Sequence, residues 1–125
     1  MRVAMEEKLK VLIVDDETDV CFLLSSILKH KNLQASYVNT IGEAKHVLMK
    51  DNPSIIFLDN HLPDGFGMNF IEEIKRIHPH IKIVMITAHD TTADKEKAYK
   101  KGVDSFIGKP FTRETIFKEL EVLLN

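Results

Sequence analysis

The chain has 125 residues, 44% of them hydrophobic, enough for one compact domain whose core needs no disulfide or metal to staple it. Charged residues make up 29% but the net charge is only -2, which argues against a domain-wide basic field that would attract nucleic acid or an anionic membrane. Cys21, the single cysteine, lies in an apolar helical stretch, so a disulfide framework is excluded and a reducing interior is favoured.

At the N-terminus, Glu6 and Glu7 stand where a signal peptide needs a continuous apolar stretch, and no apolar run approaches the roughly 20 residues that span a bilayer. A cytoplasmic protein is expected. The first strand is Val11-Leu12-Ile13-Val14, followed by a segment with helical periodicity at Val20, Leu23, Leu24, Ile27 and Leu28. A weaker run, Ala35-Ser36-Tyr37-Val38, precedes a second helix with Ile41, Ala44 and Leu48 on one face. The third strand, Ile55-Ile56-Phe57-Leu58, leads to a helix carrying Phe70, Ile71, Ile74 and Ile77. Residues 81–86 form the fourth strand, and the helix predicted over 91–101 has only Ala93, Ala98 and Tyr99 as apolar residues between its ends, so it should be weakly anchored. Residues 103–107 form the fifth strand, and Ile116, Leu120, Leu123 and Leu124 share a face of the last helix.

Regular alternation of strand and helix implies βαβ units, a mostly parallel sheet and right-handed crossovers that put helices on both faces. Strands covered on both faces read as unbroken apolar runs, whereas edge strands tolerate polar residues. Runs one and three are unbroken and run four is apolar from Ile83 to Ile86 after Lys82, while the second carries Ser36 and the fifth Asp104 and Ser105. The order 2-1-3-4-5 follows. One domain over residues 1–125, with a core of about 9–124, accounts for the whole chain, since no repeat, low-complexity tract or long linker appears.

In such a sheet ligands bind at the carboxyl ends of the strands, where the winding direction reverses between strands one and three. Strand one is followed by Asp15-Asp16-Glu17, strand three by Asp59, strand four by Thr87 and strand five by Lys109-Pro110. Carboxylates crowded into one crevice raise one another's pKa unless a cation neutralises them, and a hard divalent ion such as Mg2+ suits oxygen ligands. Asp16 and Asp59 are candidate ligands, with Asp15 acting directly or through water. A carboxylate is also a nucleophile toward phosphorus, and a metal with a lysine stabilises the charge spread over transferring phosphoryl oxygens. Asp59, at the centre, is the candidate nucleophile; Lys109 and the Thr87 hydroxyl are candidate charge stabilisers. Each residue alone has a plainer reading, a helix cap for Asp15 or Asp16, a turn for Thr87, a solvated Lys109, but their convergence on one rim favours the site.

The blocks Val14-Asp15-Asp16-Glu17, Leu58-Asp59-Asn60-His61-Leu62-Pro63-Asp64-Gly65, Ile86-Thr87-Ala88 and Gly102-Val103-Asp104-Ser105-Phe106-Ile107-Gly108-Lys109-Pro110-Phe111 carry a resemblance. Over nearly its whole length the sequence resembles the CheY-like response-regulator receiver domains of two-component signalling. The resemblance implies the flavodoxin-like (βα)5 sandwich, Asp59 as phosphoacceptor, Asp15 and Asp16 as an acidic metal pair, Thr87 as switch hydroxyl and Lys109 as phosphoryl-binding lysine. It also implies the backbone carbonyl of His61 as a Mg2+ ligand, with Mn2+ able to substitute, and Phe106 as the aromatic residue that turns inward when Thr87 moves toward a phosphate. A sensor histidine kinase or phosphotransfer protein would be the donor. A downstream effector would read the surface of the fourth helix, fifth strand and fifth helix, without nucleic acid or membrane contact by this chain and without substrate turnover as an enzyme. Whether phosphorylation drives homodimer formation stays open.

Where the family commonly has Ala, Val103 stands here, and Phe106 cannot make the hydrogen bond of the Tyr often found at its position. His61 and His89 each follow a site residue by two positions, should overhang the crevice and are expected to control water access to an acyl phosphate. Three rivals remain: a flavin or nucleotide binder, against which the acidic first loop argues; a small aspartyl-phosphate phosphohydrolase, whose acid–base spacing Asp15 and Glu17 match only loosely; and a pseudo-receiver that binds partners without being phosphorylated.

Overall fold

In the computed structural model, which describes residues 8–124, the apolar runs and periodic segments alternate as strands and helices. They are β1 (Lys10–Val14), α1 (Thr18–Lys29), β2 (Gln34–Val38), α2 (Ile41–Lys50) and β3 (Ile55–Asp59). A small ribbon, β4 (His61–Leu62) and β5 (Gly65–Phe66), and a 3-10 turn (Gly67–Phe70) lead into α3 (Ile71–Ile77). Then come β6 (Lys82–Thr87), α4 (Thr92–Lys101), β7 (Ser105–Gly108) and α5 (Arg113–Leu124). Five strands form one parallel sheet of order β2-β1-β3-β6-β7, the doubly wound 2-1-3-4-5 arrangement expected from the runs.

The period of two along each central strand divides the core. Leu12, Val14, Ile56, Leu58, Ile83 and Met85 face α2 and α3, whereas Val11, Ile13, Ile55, Phe57, Val84 and Ile86 face α1 and α5. The edge strand β2 leaves Gln34, Ser36 and Tyr37 exposed, as its polar content requires.

Helical faces differ in detail from the sequence pattern. In α1 the buried set is Cys21, Leu24, Ile27 and Leu28, while Leu23 is exposed, because Cys21 continues the 3.6-residue stripe and Leu23 stands beside it. Ile77 ends α3 and is exposed, and α5 buries Ile116 and Leu120 but exposes Leu124 at its last turn. The weak anchoring of α4 is as expected, since Ala98 is the one buried residue it contributes. Its ends are nevertheless well defined: Thr91 Oγ1 accepts from the Asp94 N–H, and Gly102, at φ 112°, closes the last turn onto Ala98 and Tyr99.

The fifth strand starts at Ser105 rather than Val103. Asp104 is a latch: its Oδ2 accepts from the Ile83 N–H at 2.8 Å and from Lys75 Nζ at 2.6 Å. The polar residue that marked this strand as an edge therefore also ties β6, α3 and β7 together at the end away from the crevice.

Candidate functional site

Parallel pairing in register sets the carboxyl ends of β1, β3, β6 and β7 side by side, with Val14 opposite Leu58, Asp59 opposite Ile86, and Thr87 opposite Gly108. The residues that follow therefore meet at one rim.

Asp15 is fully buried. Its N–H donates to the Val38 carbonyl, and its own carbonyl accepts from Asn39 Nδ2 at 2.8 Å and from Cys21 Sγ at 3.3 Å. Its Oδ1 accepts from the Glu17 N–H at 2.9 Å. That leaves Oδ2, which faces the Lys109 ammonium at 2.8 Å in an ion-pair contact outside hydrogen-bond geometry. Neither Asp15 nor Asp16 caps α1; Glu17 holds that position with no side-chain cap bond. Burial, ahead of the nearby Asp15 charge, pushes the Cys21 thiol up to about 11, so it stays a neutral donor to the Asp15 carbonyl.

Asp59 is 4% exposed. Its Oδ1 accepts from the Asn60 N–H at 2.9 Å and lies 3.6 Å from Lys109 Nζ. Burial first and the Asp15 charge second raise its pKa to about 6, with Lys109 pulling the other way. Lys109 is itself desolvated, but its contact with Asp15 and the charges of Asp59 and Asp15 outweigh burial and hold it above its ordinary value. It bridges Asp15, Glu17 at 3.1 Å and Asp59. One cation thus faces a surplus of anions.

Thr87 is buried, and its Oγ1 accepts from the His89 N–H at 3.1 Å. The rings of His61 and His89, both exposed, lie with centroids 4.4 Å apart. Together with Asp16, Glu17, Asp59, Ala88 and Lys109 they line a cleft of about 250 Å3. Phe106 alone of the expected residues is not at the rim. It is 8% exposed and packs into the core cluster on the α2 and α3 face, with Lys95 Nζ 5.9 Å above its ring. The ring is already covered rather than turned out, so the inward turn expected for it is not a move left to make from this arrangement.

Several contributions to the site were not expected from the sequence. Glu17 joins Asp15 and Asp16 in a group of carboxylates whose ligand atoms lie within 4.8 Å of one another. Asn39 and Cys21 hold the Asp15 backbone. Gly67 passes so close that a Cβ there would overlap the Asp59 carbonyl oxygen, and its N–H donates to the Asn60 carbonyl at 2.8 Å. The acidic donors, the surplus negative charge and the incompletely matched buried Oδ2 of Asp15 suit a hard divalent cation.

The profile of the response regulator receiver domain matches residues 11–121. The chain belongs to that family. Among curated relatives, the response regulator protein PilR of Pseudomonas aeruginosa is 34% identical over 101 residues, which are 81% of this chain and 23% of PilR. The probable transcriptional regulatory protein TcrX of Mycobacterium tuberculosis is 27% identical over 99% of this chain and 53% of TcrX. The chain thus spans about a quarter to a half of the length of these relatives. Among solved structures, the beryllofluoride-activated receiver domain dimer of NtrC4 superposes with a TM-score of 0.87 at 34% identity, covering 91% of this chain and 94% of that one. A two-component response regulator from Clostridium difficile gives 0.89 at 25% identity over 94% and 96%. As a receiver domain the protein has the family's sheet order and an acidic rim at its carboxyl edge.

Proposed function

We propose that this receiver domain is a phosphorylation switch in which Asp59 accepts a phosphoryl group. The observation that carries the reading is a nearly buried carboxylate whose pKa is raised to about 6 while a lysine ammonium stands 3.6 Å away and further carboxylates crowd the same rim. Added positive charge stabilises the ionised carboxylates of such a site. An Asp59 oxygen attacks phosphorus, the bond from phosphorus to the donor nitrogen or oxygen breaks, and an acyl phosphate remains. Lys109 pairs with a phosphoryl oxygen, and the Thr87 hydroxyl, freed from the His89 N–H, donates to another. Asp15, Asp16 and Asp59, with the His61 backbone carbonyl, are the residues that would hold Mg2+ or, in its place, Mn2+. When bound, that ion supplies a hard positive charge for the phosphoryl oxygens.

In this reading a histidine kinase or phosphotransfer protein is the donor, in the cytoplasm. The surface of α4, β7 and α5 carries the state to an effector, since α4 contributes one buried residue and moves at low cost. Residues 1–125 act as one receiver unit that assists its own phosphorylation and dephosphorylation without separate substrate turnover. The NtrC4 receiver, solved as an activated dimer, makes a phosphorylation-dependent homodimer a state to test here as well. Among the described residues no helix is long and apolar enough to cross a membrane.

Incubation with Mg2+ and acetyl phosphate, read by intact mass on the wild type and Asp59→Asn, tests the assignment. A phosphate adduct on the wild type alone supports it. No adduct on either shifts the reading to a pseudo-receiver that binds partners without being phosphorylated.

A further inference from the structure

We infer that His61 and His89 form a nitrogen-donor cation site over the mouth of the acidic crevice, one that takes a divalent ion of the copper, nickel or zinc class. The pairing of Asp59 with Ile86 puts the loops after β3 and β6 next to each other, and each loop delivers a histidine to the same cleft. Both rings are exposed, so a ligand ion keeps part of its hydration. His61 pairs with Phe66 in the β4–β5 ribbon, whose ring meets the imidazole edge-on at 5.4 Å and 81°. The backbone of His89 is fixed by its N–H bond to Thr87 Oγ1.

The spacing is that of cis ligands. A metal–nitrogen bond of about 2.0–2.1 Å places each ring centroid about 3.2 Å from the ion, so two imidazoles at a right angle have centroids about 4.5 Å apart, and at a tetrahedral angle about 5.2 Å. The rings here are 4.4 Å apart. Square-planar or octahedral Cu2+ or Ni2+ therefore matches the centroid spacing, with the exposed rings rotating to turn a nitrogen each toward the ion, and Zn2+ needs an opening of about 0.8 Å as well. The electrostatic setting is acidic on one side: Asp16, Glu17 and Asp59 outnumber Lys109 in the cleft the two rings share, while in the adjoining one Asp94 is matched by Lys97. No third histidine, cysteine or carboxylate among the described residues completes a compact cluster with the pair, so water fills the remaining positions. Mg2+, which prefers oxygen, does not compete for imidazoles. Cu2+ and Ni2+ bind carboxylates as well, so loss of binding in the histidine variants, rather than the identity of the ion, separates the two sites within the shared cleft. On the phosphoacceptor reading, an ion at this second site caps Asp59 and slows its phosphorylation.

The test is a calorimetric titration of the full chain with Ni2+ in excess Mg2+, together with electron paramagnetic resonance of the Cu2+ form. Variants are His61→Gln, His89→Gln, the double change, and His78→Gln/His80→Gln as a control. The control addresses a rival pair whose ring centroids are 6.2 Å apart. Expected are one ion per chain with nitrogen hyperfine structure, affinity reduced at least about 10- to 100-fold by either single change, and no change in the control. Absence of binding, or equal binding by the double variant, overturns the site and leaves the pair as a ring contact extending the Phe66 edge. Acetyl phosphate labelling of Asp59 should slow with Ni2+ in the wild type but not in the double variant. Equal rates with the site loaded refute the cap, whereas absence of labelling even without Ni2+ refutes the phosphoacceptor reading and leaves the binding result intact.

Discussion

Replacing Asp59 by Asn should stabilise the protein at neutral pH in the absence of metal. The carboxyl pKa rises from 3.8 to about 6, chiefly through burial. A group with a raised folded-state pKa favours the folded state fully below its unfolded value, and this contribution is lost as pH climbs through the folded value. At neutral pH the ionised Asp59 is thus a net cost to the fold. Two pKa units correspond to at most about 3 kcal/mol, and solvent at the cleft mouth reduces that to about 1–2 kcal/mol. Asn keeps an oxygen to accept the Asn60 N–H, does not ionise, and leaves Lys109 paired with Asp15 and Glu17. For a chain of this length the gain is roughly 4–8 °C in melting temperature. Paired thermal and urea melts from pH 4 to pH 8 should show the two proteins converging near pH 4 and separating by pH 7, with excess Mg2+ raising the wild type more than the variant. A variant no more stable at pH 7, or an advantage of the same size at pH 4, would refute the claim that Asp59 is strained by burial and neighbouring charge.

Three other changes probe separate parts of the structure. Gly67→Ala should cost about 1–3 kcal/mol in a urea melt, because the new Cβ overlaps the Asp59 carbonyl oxygen and the backbone must shift; an unchanged midpoint would mean the turn gives way freely. Lys75→Ala should cost about 1–2 kcal/mol, since Asp104 keeps the Ile83 N–H but loses its cation in a partly buried pair, and a double-mutant cycle with Asp104→Ala should show the two effects to be coupled rather than additive. Phe106→Ala removes a buried ring from the core cluster on the α2 and α3 face and should cost about 3–5 kcal/mol in a urea melt; an unchanged midpoint would mean that the ring contributes no packing there.

Much of this structure was legible in period and position. A parallel sheet covered on both faces demands unbroken apolar strands at its centre, so β1, β3 and β6 announce themselves, and polar Ser36 and Asp104 give away the edges. Once strand order is known, the rim residues need no further signal, because whatever follows a strand in a doubly wound sheet lies at the crevice. Asp15, Asp59, Thr87 and Lys109 meet for that reason. What stayed hidden depends on distances that no period encodes. Leu23 and Cys21 are both apolar and two positions apart, and only packing against the sheet decides that Cys21 goes inside. The β4–β5 ribbon is too short to show alternation, yet it sets where His61 stands.

The same distinction separates the electrostatics of the site from its inventory of residues. Acidic residues after strands one and three foretell a repulsive crevice, but not how the repulsion is divided. The structure divides it unevenly: Asp15 has the Glu17 N–H on one oxygen and the Lys109 ammonium at 2.8 Å from the other, while Asp59 lies 3.6 Å from the same lysine and carries the raised pKa. One ammonium cannot approach both carboxylates equally closely, and it stands nearer to the one with no exposure at all. A phosphoryl group arriving on Asp59, as proposed, would draw Lys109 away from Asp15, whose Oδ2 would be left buried and uncompensated unless a cation replaced the lysine. On the phosphoacceptor reading, phosphorylation and divalent metal binding are coupled through this one oxygen, so Asp15→Asn should weaken the dependence of Asp59 labelling on Mg2+ concentration, and an unaltered Mg2+ dependence in that variant would break the link.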